Sequence, residues 1–353
     1  MRVRTVLGEA WRNLVSGTVG AAVGFVVLTV LTGVLALADL LTIGQLQTQA
    51  GQWVAAGAAT RGMQAAHGID GQACDALSGV STIQASGALA DGPNLRFLAM
   101  PTVAIQTYQA TPGFAGVVGI RHPLAGGVWI DQGLADIMGA RVGDRLDTTD
   151  GLLLVGGIFD WPQDGRDQRL SFSVLIPRTP TGTFDECWYQ AWPAVDANDI
   201  LLRDTQTILT TAPAQVGQVN TSLGTSLDAN SLFTARLTRW VPVACLAAGL
   251  GLGYTMARRR RLEYASNLHA GQAKPAQLAG CALETLAWAI PAALVAIVVA
   301  WAVATRLTMA DIPHLLAITG RGPLLGLVGT VLGALIACAQ TREKHLFRLF
   351  KTR

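Results

Sequence analysis

Charged side chains are scarce in this sequence, and lysine is almost missing. Only 14% of the 353 residues are charged and 51% are hydrophobic, whereas an ordinary soluble domain has about 25% charged residues. The lysines are Lys274, Lys344 and Lys351, and none of them follows a glycine, so the phosphate-binding pattern G-x-x-x-x-G-K-[ST] is absent. The composition therefore argues against ATP hydrolysis by P-loop chemistry in this chain and favours a protein that lies in lipid.

The sequence also lacks the patterns of common catalytic, metal and nucleic-acid sites. Its five cysteines form no C-x-x-C pair, and His67 and His122 stand apart from other ligand residues. Neither G-x-S-x-G nor H-E-x-x-H occurs between the apolar segments described next. The net charge of +3 comes with no basic stripe interleaved with aromatics. We therefore expect no catalytic residue, no metal or cofactor bound by this chain, and no nucleic-acid partner.

Four apolar runs are long enough to cross a bilayer, which needs about 20 such residues. The first, residues 19–38, has only Thr29 and Thr32 as polar members. Three more runs lie in the last third of the chain. We predict transmembrane helices at residues 17–41, 239–257, 277–305 and 323–340.

Arginines cluster on one side of these spans and predict the orientation. Arg2, Arg4 and Arg12 precede the first span, residues 258–261 are four consecutive arginines after the second, and further basic residues follow the fourth. Because positive residues favour the cytoplasmic side, both termini are predicted to be cytoplasmic in a multi-pass protein of the plasma or inner membrane. The remaining membrane segments are an interfacial helix at 1–16 in contact with lipid, a cytoplasmic segment at 258–276, an outer loop at 306–322 and a tail at 341–353.

The long segment at 42–238 is predicted to be an extracytoplasmic domain. Ile43, Leu46, Ala50 and Trp53 continue a helical spacing, so the first span is expected to extend outward as a stalk. Short helices and apolar, β-branched runs follow, which predicts an α+β domain, in two lobes by our interpretation. The fold class is thus an integral membrane α-helical protein of four spans with a large α+β domain between helices one and two.

Cys74 and Cys187 are the cysteines of this extracytoplasmic domain. A disulfide between them is favoured by an oxidising compartment. The alternative is two small buried side chains, and the sequence leaves both open.

Two stretches resemble the MacB and FtsX type permeases of the type VII, or mechanotransmission, group of ABC transporters. The first is RRRRLEYASNLHAGQAKPAQLAG at residues 258–280, where the family has an arginine-rich exit, a Glu, a short amphipathic helix and a Gly. The family's Arg-Ala-x-Gly reads Leu-His-Ala-Gly here and so lacks the arginine. The second is GLADIMGARVGDRL at residues 133–146, which resembles the outer-domain signature of a helix and a Gly-x-x-x-Gly-Asp turn.

The resemblance implies a permease subunit that uses the ATP and Mg of separate cytoplasmic ABC ATPase subunits, in a dimer with a second copy or a paralogue. Its cargo is a compound, peptide, lipid or lipoprotein, or only a mechanical signal. The ATPase-coupling residues are then expected at Glu263, Tyr264, Leu268, His269 and Gly271, with Tyr264 and Leu268 as an apolar ridge. G-x-x-x-G faces in three of the spans could serve dimer contacts. The alternative is a membrane-anchored sensor or binding protein without an ATPase.

Overall fold

A computed structural model describes residues 8, 11–17, 19–193, 198–207, 214–307 and 309–342. The chain forms two compact units. The membrane unit comprises Met1–Gln47 and Asn230–Arg353, and the inserted domain comprises Thr48–Ala229. Most of the predicted interfacial helix at 1–16 and of the tail at 341–353 lies outside the described residues, although residues 11–15 are helical.

The helices and strands are named here in chain order. They are α1 (Ala21–Ala55), β1 (Thr60–Asp70), α2 (Gly71–Ala76), β2 (Ile83–Asp91), β3 (Thr107–Ala110), α3 (Phe114–Val117), β4 (Val128–Asp131), α4 (Gln132–Met138), β5 (Arg145–Thr148), β6 (Gly151–Phe159), β7 (Val174–Pro177), β8 (Thr183–Ala191), α5 (Asn198–Asp204), β9 (Gln215–Gln218), α6 (Ala229–Ala235), α7 (Val241–Arg259), α8 (Arg261–His269), α9 (Lys274–Arg306), α10 (Ile312–Thr319) and α11 (Arg321–Gln340).

Among the described residues, four helical segments are long and apolar enough to cross a membrane, which confirms the predicted number. They are Ala21–Ala55, Leu237–Arg259, Lys274–Arg306 and Ile312–Gln340. The predicted outer loop at 306–322 is wrong in one respect, because it contains the helix α10. Leu315 of α10 is buried against Leu40 and Ala304, so this short apolar run packs on the bundle.

Helix α1 is longer than a bilayer requires. Its 35 residues span about 52 Å at 1.5 Å per residue, whereas the hydrocarbon core is about 30 Å thick. The expected stalk is therefore continuous with the first span. Trp53 near its end is buried in the inserted domain beside Ala58 and Ala59, and its ring lies 5.6 Å from that of Trp192.

Glycines bring α7 and α11 into backbone contact. A Cβ atom added at Gly249 or Gly253 would collide with the carbonyl oxygen of Gly326 or Thr330. Small residues allow such close approach where lipid supplies no hydrophobic drive between helices. The close-approach faces at Gly249 and Gly253 are therefore used for packing within the chain, and the dimer contact stays a prediction.

The inserted domain is built on one nine-stranded mixed sheet with the order β5-β6-β4-β7-β3-β2-β8-β1-β9. The pairs β3–β7 and β4–β6 are parallel. Hydrophobic clusters pack along the sheet around Met63, Trp188 and Ile130. The expected α+β class is confirmed, but the expected two lobes are replaced by one continuous sheet.

The turn after α4 has the structure that its motif predicted. Gly139 ends the helix with φ +64° and Gly143 has φ +98°, backbone conformations that glycine adopts without strain. Asp144 accepts a hydrogen bond from the amide of Arg141 at 2.8 Å and closes the turn. The role of this motif is thus structural.

Candidate coupling site

The four consecutive arginines at 258–261 do not lie on one helix, because the helix breaks at Arg260. Helix α7 ends at Arg259, and α8 begins at Arg261. Arg260 lies between them with φ −93° and ψ 14°, outside helical geometry. Because of this break, the Arg260 side chain is 9% exposed, whereas Arg258 and Arg259 face outward.

Arg260 holds two carboxylates from different helices. Its Nε and Nη2 atoms donate to both oxygens of Glu263 on α8 at 2.8 and 2.6 Å. Its Nη1 donates to Glu284 on α9 at 2.5 Å, and the Glu284 side chain is only 6% exposed. A buried carboxylate of this kind is very costly without a partner, so the guanidinium is what permits Glu284 at this depth.

The second oxygen of Glu284 joins the N-terminal segment to the same cluster. Asn13 Nδ2 donates to Glu284 Oε1 at 2.7 Å. Arg260, Glu263, Glu284 and Asn13 are called the arginine cluster below. This cluster links the N-terminal segment, α8 and α9 through charge-assisted hydrogen bonds, which are stronger and shorter than neutral ones.

Tyr264 lies inside the membrane unit, which corrects the expected apolar ridge. It is 6% exposed and packs with Ala257, Cys281 and Ala334. Leu268 is half-buried, so the two residues do not form one exposed face. The break at Arg260 sets the rotation of α8 and turns Tyr264 inward, which spacing along a single helix could not indicate.

The remaining predicted site residues lie at the solvent side of α8 and its end. Glu263 is 38% exposed at its side chain although it is ion-paired, and His269 is exposed. Gly271 has φ +88° and its amide donates to the Leu268 carbonyl at 3.0 Å, so it forms the turn that the sequence predicted. The structure thus gathers Glu263, Tyr264 and Glu284 in one cluster and leaves Leu268 and His269 outside it.

Two residues near the start of α9 hydrogen-bond to neighbouring helices, one to α8 and the other to the C-terminal end of α11. Gln277 Nε2 donates to the Tyr264 carbonyl at 2.8 Å. Lys274 Nζ donates to the carbonyls of Cys338 and Thr341 at 2.9 and 2.6 Å, at the end of α11. A cation at a helix C-terminus satisfies unpaired carbonyls and opposes the helix dipole.

A second buried ion pair lies at the other end of the first span. Arg236 Nε lies 3.3 Å from Asp39 Oδ1, with side chains 9% and 3% exposed. We would expect Asp39 and Glu284, as lone carboxylates near span ends, to reach water by snorkelling. That expectation is wrong, because each meets an arginine distant in sequence.

The end of α1 is held by polar side chains of the inserted domain. Arg166 Nη2 donates to the Ala55 carbonyl at 2.9 Å and also to Asp164 at 2.6 Å. Asn220 Nδ2 donates to the Ala56 carbonyl at 2.8 Å. Such bonds satisfy the last carbonyls of a helix and fix its end to the domain. Hydrogen bonding from Arg166 lowers the pKa of Asp164 from its usual value.

Cys74 and Cys187 are adjacent in the inserted domain. Their Cα atoms lie 5.8 Å apart and their sulfurs are joined at 2.01 Å, within the range that a disulfide needs. In unfolded protein from an oxidising compartment, we expect alkylation to add three groups before reduction, at Cys245, Cys281 and Cys338, and five groups after reduction. Addition of five groups without reduction would contradict the bond.

No three histidine, cysteine, aspartate or glutamate side chains form a metal-binding group among the described residues. The described elements define a polytopic membrane protein with a mixed α/β domain between its first and second spans. No protein-family model matches the chain, and no curated protein does so either.

Three solved structures that are similar to part of this chain are domains of permease or transporter proteins. The periplasmic region of MacB from Actinobacillus actinomycetemcomitans is 13% identical, with 46% of this chain and 90% of that one covered and a TM-score of 0.33. A permease domain from Porphyromonas gingivalis is 14% identical, with coverages of 44% and 86% and a TM-score of 0.30.

The extracellular domain of the noncanonic ABC-type transporter YknZ from Gram-positive bacteria is 14% identical, with coverages of 45% and 99% and a TM-score of 0.30. At such identities no residue role is carried over, and the function proposed below rests on this chain's own contacts.

Proposed function

We propose that the chain is the permease subunit of an ABC transporter and that α8 couples it to a separate cytoplasmic ATPase. The subunit lies in the plasma or inner membrane with both termini in the cytoplasm and the inserted domain outside. ATP and Mg bind the partner, and this chain binds no cofactor. Two ATPase subunits engage two permease chains, so a second copy or a paralogue completes the complex.

The arginine cluster is the observation that carries this proposal. A segment that only lies on lipid needs an apolar face and a basic face, and it gains nothing from a buried bond to a transmembrane helix. Helix α8 is instead fixed to α9 by Arg260 and Glu284 at 2.5 Å and by Gln277 at the Tyr264 carbonyl. A force applied to the exposed residues of α8 therefore reaches the transmembrane helices directly.

The path to the inserted domain runs along α1. Asn13 ties the segment before α1 to the arginine cluster. Helix α1 then continues without a break from Ala21 to Ala55. Its last carbonyls are held by Arg166 and Asn220. We expect nucleotide-driven movement at α8 to act on the inserted domain through α1, for export, extraction or mechanical signalling.

Affinity purification of the tagged full chain from its native membranes tests this function. We expect a P-loop ATPase to co-purify in comparable amount and the complex to hydrolyse ATP. A chain recovered without any ATPase, under mild detergent that keeps other membrane complexes together, would contradict the proposal. That result would favour a membrane-anchored sensor or binding protein.

Labelling from outside tests the orientation. Gln106 and Ala270 are exposed, so a cysteine at either position can react. We expect Gln106→Cys to react with an impermeant maleimide on intact cells, and Ala270→Cys to react only after permeabilisation. The parent chain is the background control, because Cys245, Cys281 and Cys338 are buried. If Ala270→Cys reacts on intact cells and Gln106→Cys does not, the orientation is the opposite of the one proposed.

A further inference from the structure

A cavity of about 200 Å³ opens on one face of the sheet in the inserted domain. Strands β1, β8 and β9 form its floor, and the segment with Asp167 and Arg169 forms one wall. It is smaller than the roughly 300–1,000 Å³ of sites for drug-sized ligands. An occupant is therefore about the size of one ring or two residues.

The floor consists of two rows of residues that lie in register across the three strands. One row is Gly217, Gly62 and Trp188, in which the two glycines carry no side chain. A Cβ atom at Gly62 would lie 2.9 Å from the Trp188 indole, whereas one at Gly217 would meet nothing within 4 Å. The open space thus lies over Gly217, with the indole beside it.

The second row brings polar side chains to the same face. It contains Gln215, Gln64 and Glu186 in register. Both glutamines are exposed, and within the described part of the chain no hydrogen bond to either side-chain amide is present. A glutamine amide offers both an acceptor and two donors. The row therefore presents two adjacent amides, and each of them can either donate a hydrogen bond to a ligand or accept one from it.

The charged side chains that line the cavity hydrogen-bond to one another. Arg169 donates to Glu186 at 2.5 and 3.0 Å and to Asp167 at 2.5 Å. Trp188 Nε1 donates to Glu186 at 2.7 Å. Of the five guanidinium donors, one N–H on each terminal nitrogen is left by these described bonds, and the side chain is 34% exposed. Two carboxylates against one guanidinium leave a formal charge of −1, which disfavours an anion.

We propose that this cavity binds one ring of an uncharged saccharide through Gln64, Gln215 and the outward N–H groups of Arg169. A hydroxyl both donates and accepts, so adjacent hydroxyls match the two amides and the spare arginine donors. The glycine floor admits a ring close to the sheet. This site is independent of ATPase coupling, because all of its residues lie in the inserted domain.

An extended peptide fits this face less well. Peptide recognition by a sheet uses backbone hydrogen bonds at a free edge, whereas β1 and β8 are interior strands with a neighbouring strand on each side. Recognition here depends on side-chain amides, which suits a ligand rich in hydroxyl groups.

Calorimetric titration of the full chain in micelles tests the proposal with three probes: the trimer of N-acetylglucosamine, maltotriose and trialanine. We expect at least one saccharide to bind at millimolar concentration or below, and trialanine not to bind. Gln64→Ala or Gln215→Ala should weaken binding about 2- to 10-fold, which corresponds to one hydrogen bond each. Gln72→Ala, an exposed glutamine outside the cavity, is the matched control and should bind as the parent chain does.

Filling the cavity supplies the second test. Gly217→Trp should abolish binding, whereas Gly217→Ala, which meets nothing within 4 Å, should keep it. Circular dichroism shows whether each variant is folded. If Gly217→Trp does not fold, the Gln64→Ala and Gln215→Ala variants still test the proposal. Absence of saccharide binding, binding of trialanine alone, or normal binding by a folded Gly217→Trp chain would each overturn the proposal.

Discussion

Replacing Arg260 by methionine is expected to lower the free energy of unfolding of the membrane unit by about 3–5 kcal/mol, the usual effect of removing one partner of a buried ion pair. The methionine keeps much of the side-chain volume but leaves Glu284, 6% exposed, with Asn13 as its remaining partner. Equilibrium unfolding in mixed micelles measures the change. ATP hydrolysis by the complex should also lose its dependence on the permease, because α8 is released from α9.

Two companion variants make this prediction specific. Arg259→Met removes an exposed arginine one residue earlier and should change stability by less than about 0.5 kcal/mol. Arg260→Met combined with Glu284→Met should recover most of the stability, since replacing both partners of a buried pair by apolar residues is often neutral. If the single Arg260 variant is as stable as the Arg259 control, the arginine cluster does not hold α8 in place.

Replacing Gly253 by leucine is expected to separate α7 from α11. The added Cβ alone would collide with the Thr330 carbonyl oxygen, which is backbone and cannot rotate away. Overpacking costs about 1–3 kcal/mol in a tolerant core, and we expect the upper part of that range or more here because two helices must part. Thermal unfolding in micelles and the yield of folded protein measure the loss.

Gly251→Leu is the matched control on the same helix. A Cβ at Gly251 meets nothing within 4 Å, and the residue is exposed on the lipid side of the described unit. This variant should unfold at the temperature of the parent chain. Equal behaviour of the two variants would show that the packing of α7 on α11 is not built on Gly253.

The sequence predicted the features that depend on local chemistry. The first span follows from an apolar run of sufficient length, and its continuation to Ala55 follows from the spacing of Ile43 and Trp53. The short helices and strands of the inserted domain were expected from helical spacing and from apolar, β-branched runs. The turn after α4 follows from its Gly-x-x-x-Gly-Asp motif.

Features set by partners distant in sequence were missed. Strand β1 is rich in glycine and alanine and has little intrinsic strand propensity, and it forms because β8 and β9 pair with both of its edges. Strand β8 was hidden by Glu186, a charge in a buried position that Arg169 compensates. The apolar segment at Phe97 forms an isolated bridge to Thr148 instead of a strand.

At the candidate site, too, local features could be predicted from the sequence and contacts between distant residues could not. The turn at Gly271 follows from local sequence, whereas the contact between Arg260 and Glu284 joins residues 24 positions apart. The carboxylate inside an apolar helix was the available signal, because an ionisable residue at such a position needs a partner. Glu284 therefore pointed to a nearby cation, although the sequence did not say which one.

The most direct measurement is recovery of the partner ATPase by a Leu268→Asp permease. Leu268 is half-buried on α8 beside the exposed His269, and a charge placed at a helix-in-groove contact costs several kcal/mol unless it is paired. We expect ATPase recovery in mild detergent to fall at least tenfold, while insertion and the inserted domain stay intact. Leu98→Asp, at an exposed leucine of the inserted domain, is the matched control and should recover the ATPase normally. Parent-level recovery and ATP hydrolysis with Leu268→Asp would contradict coupling through α8.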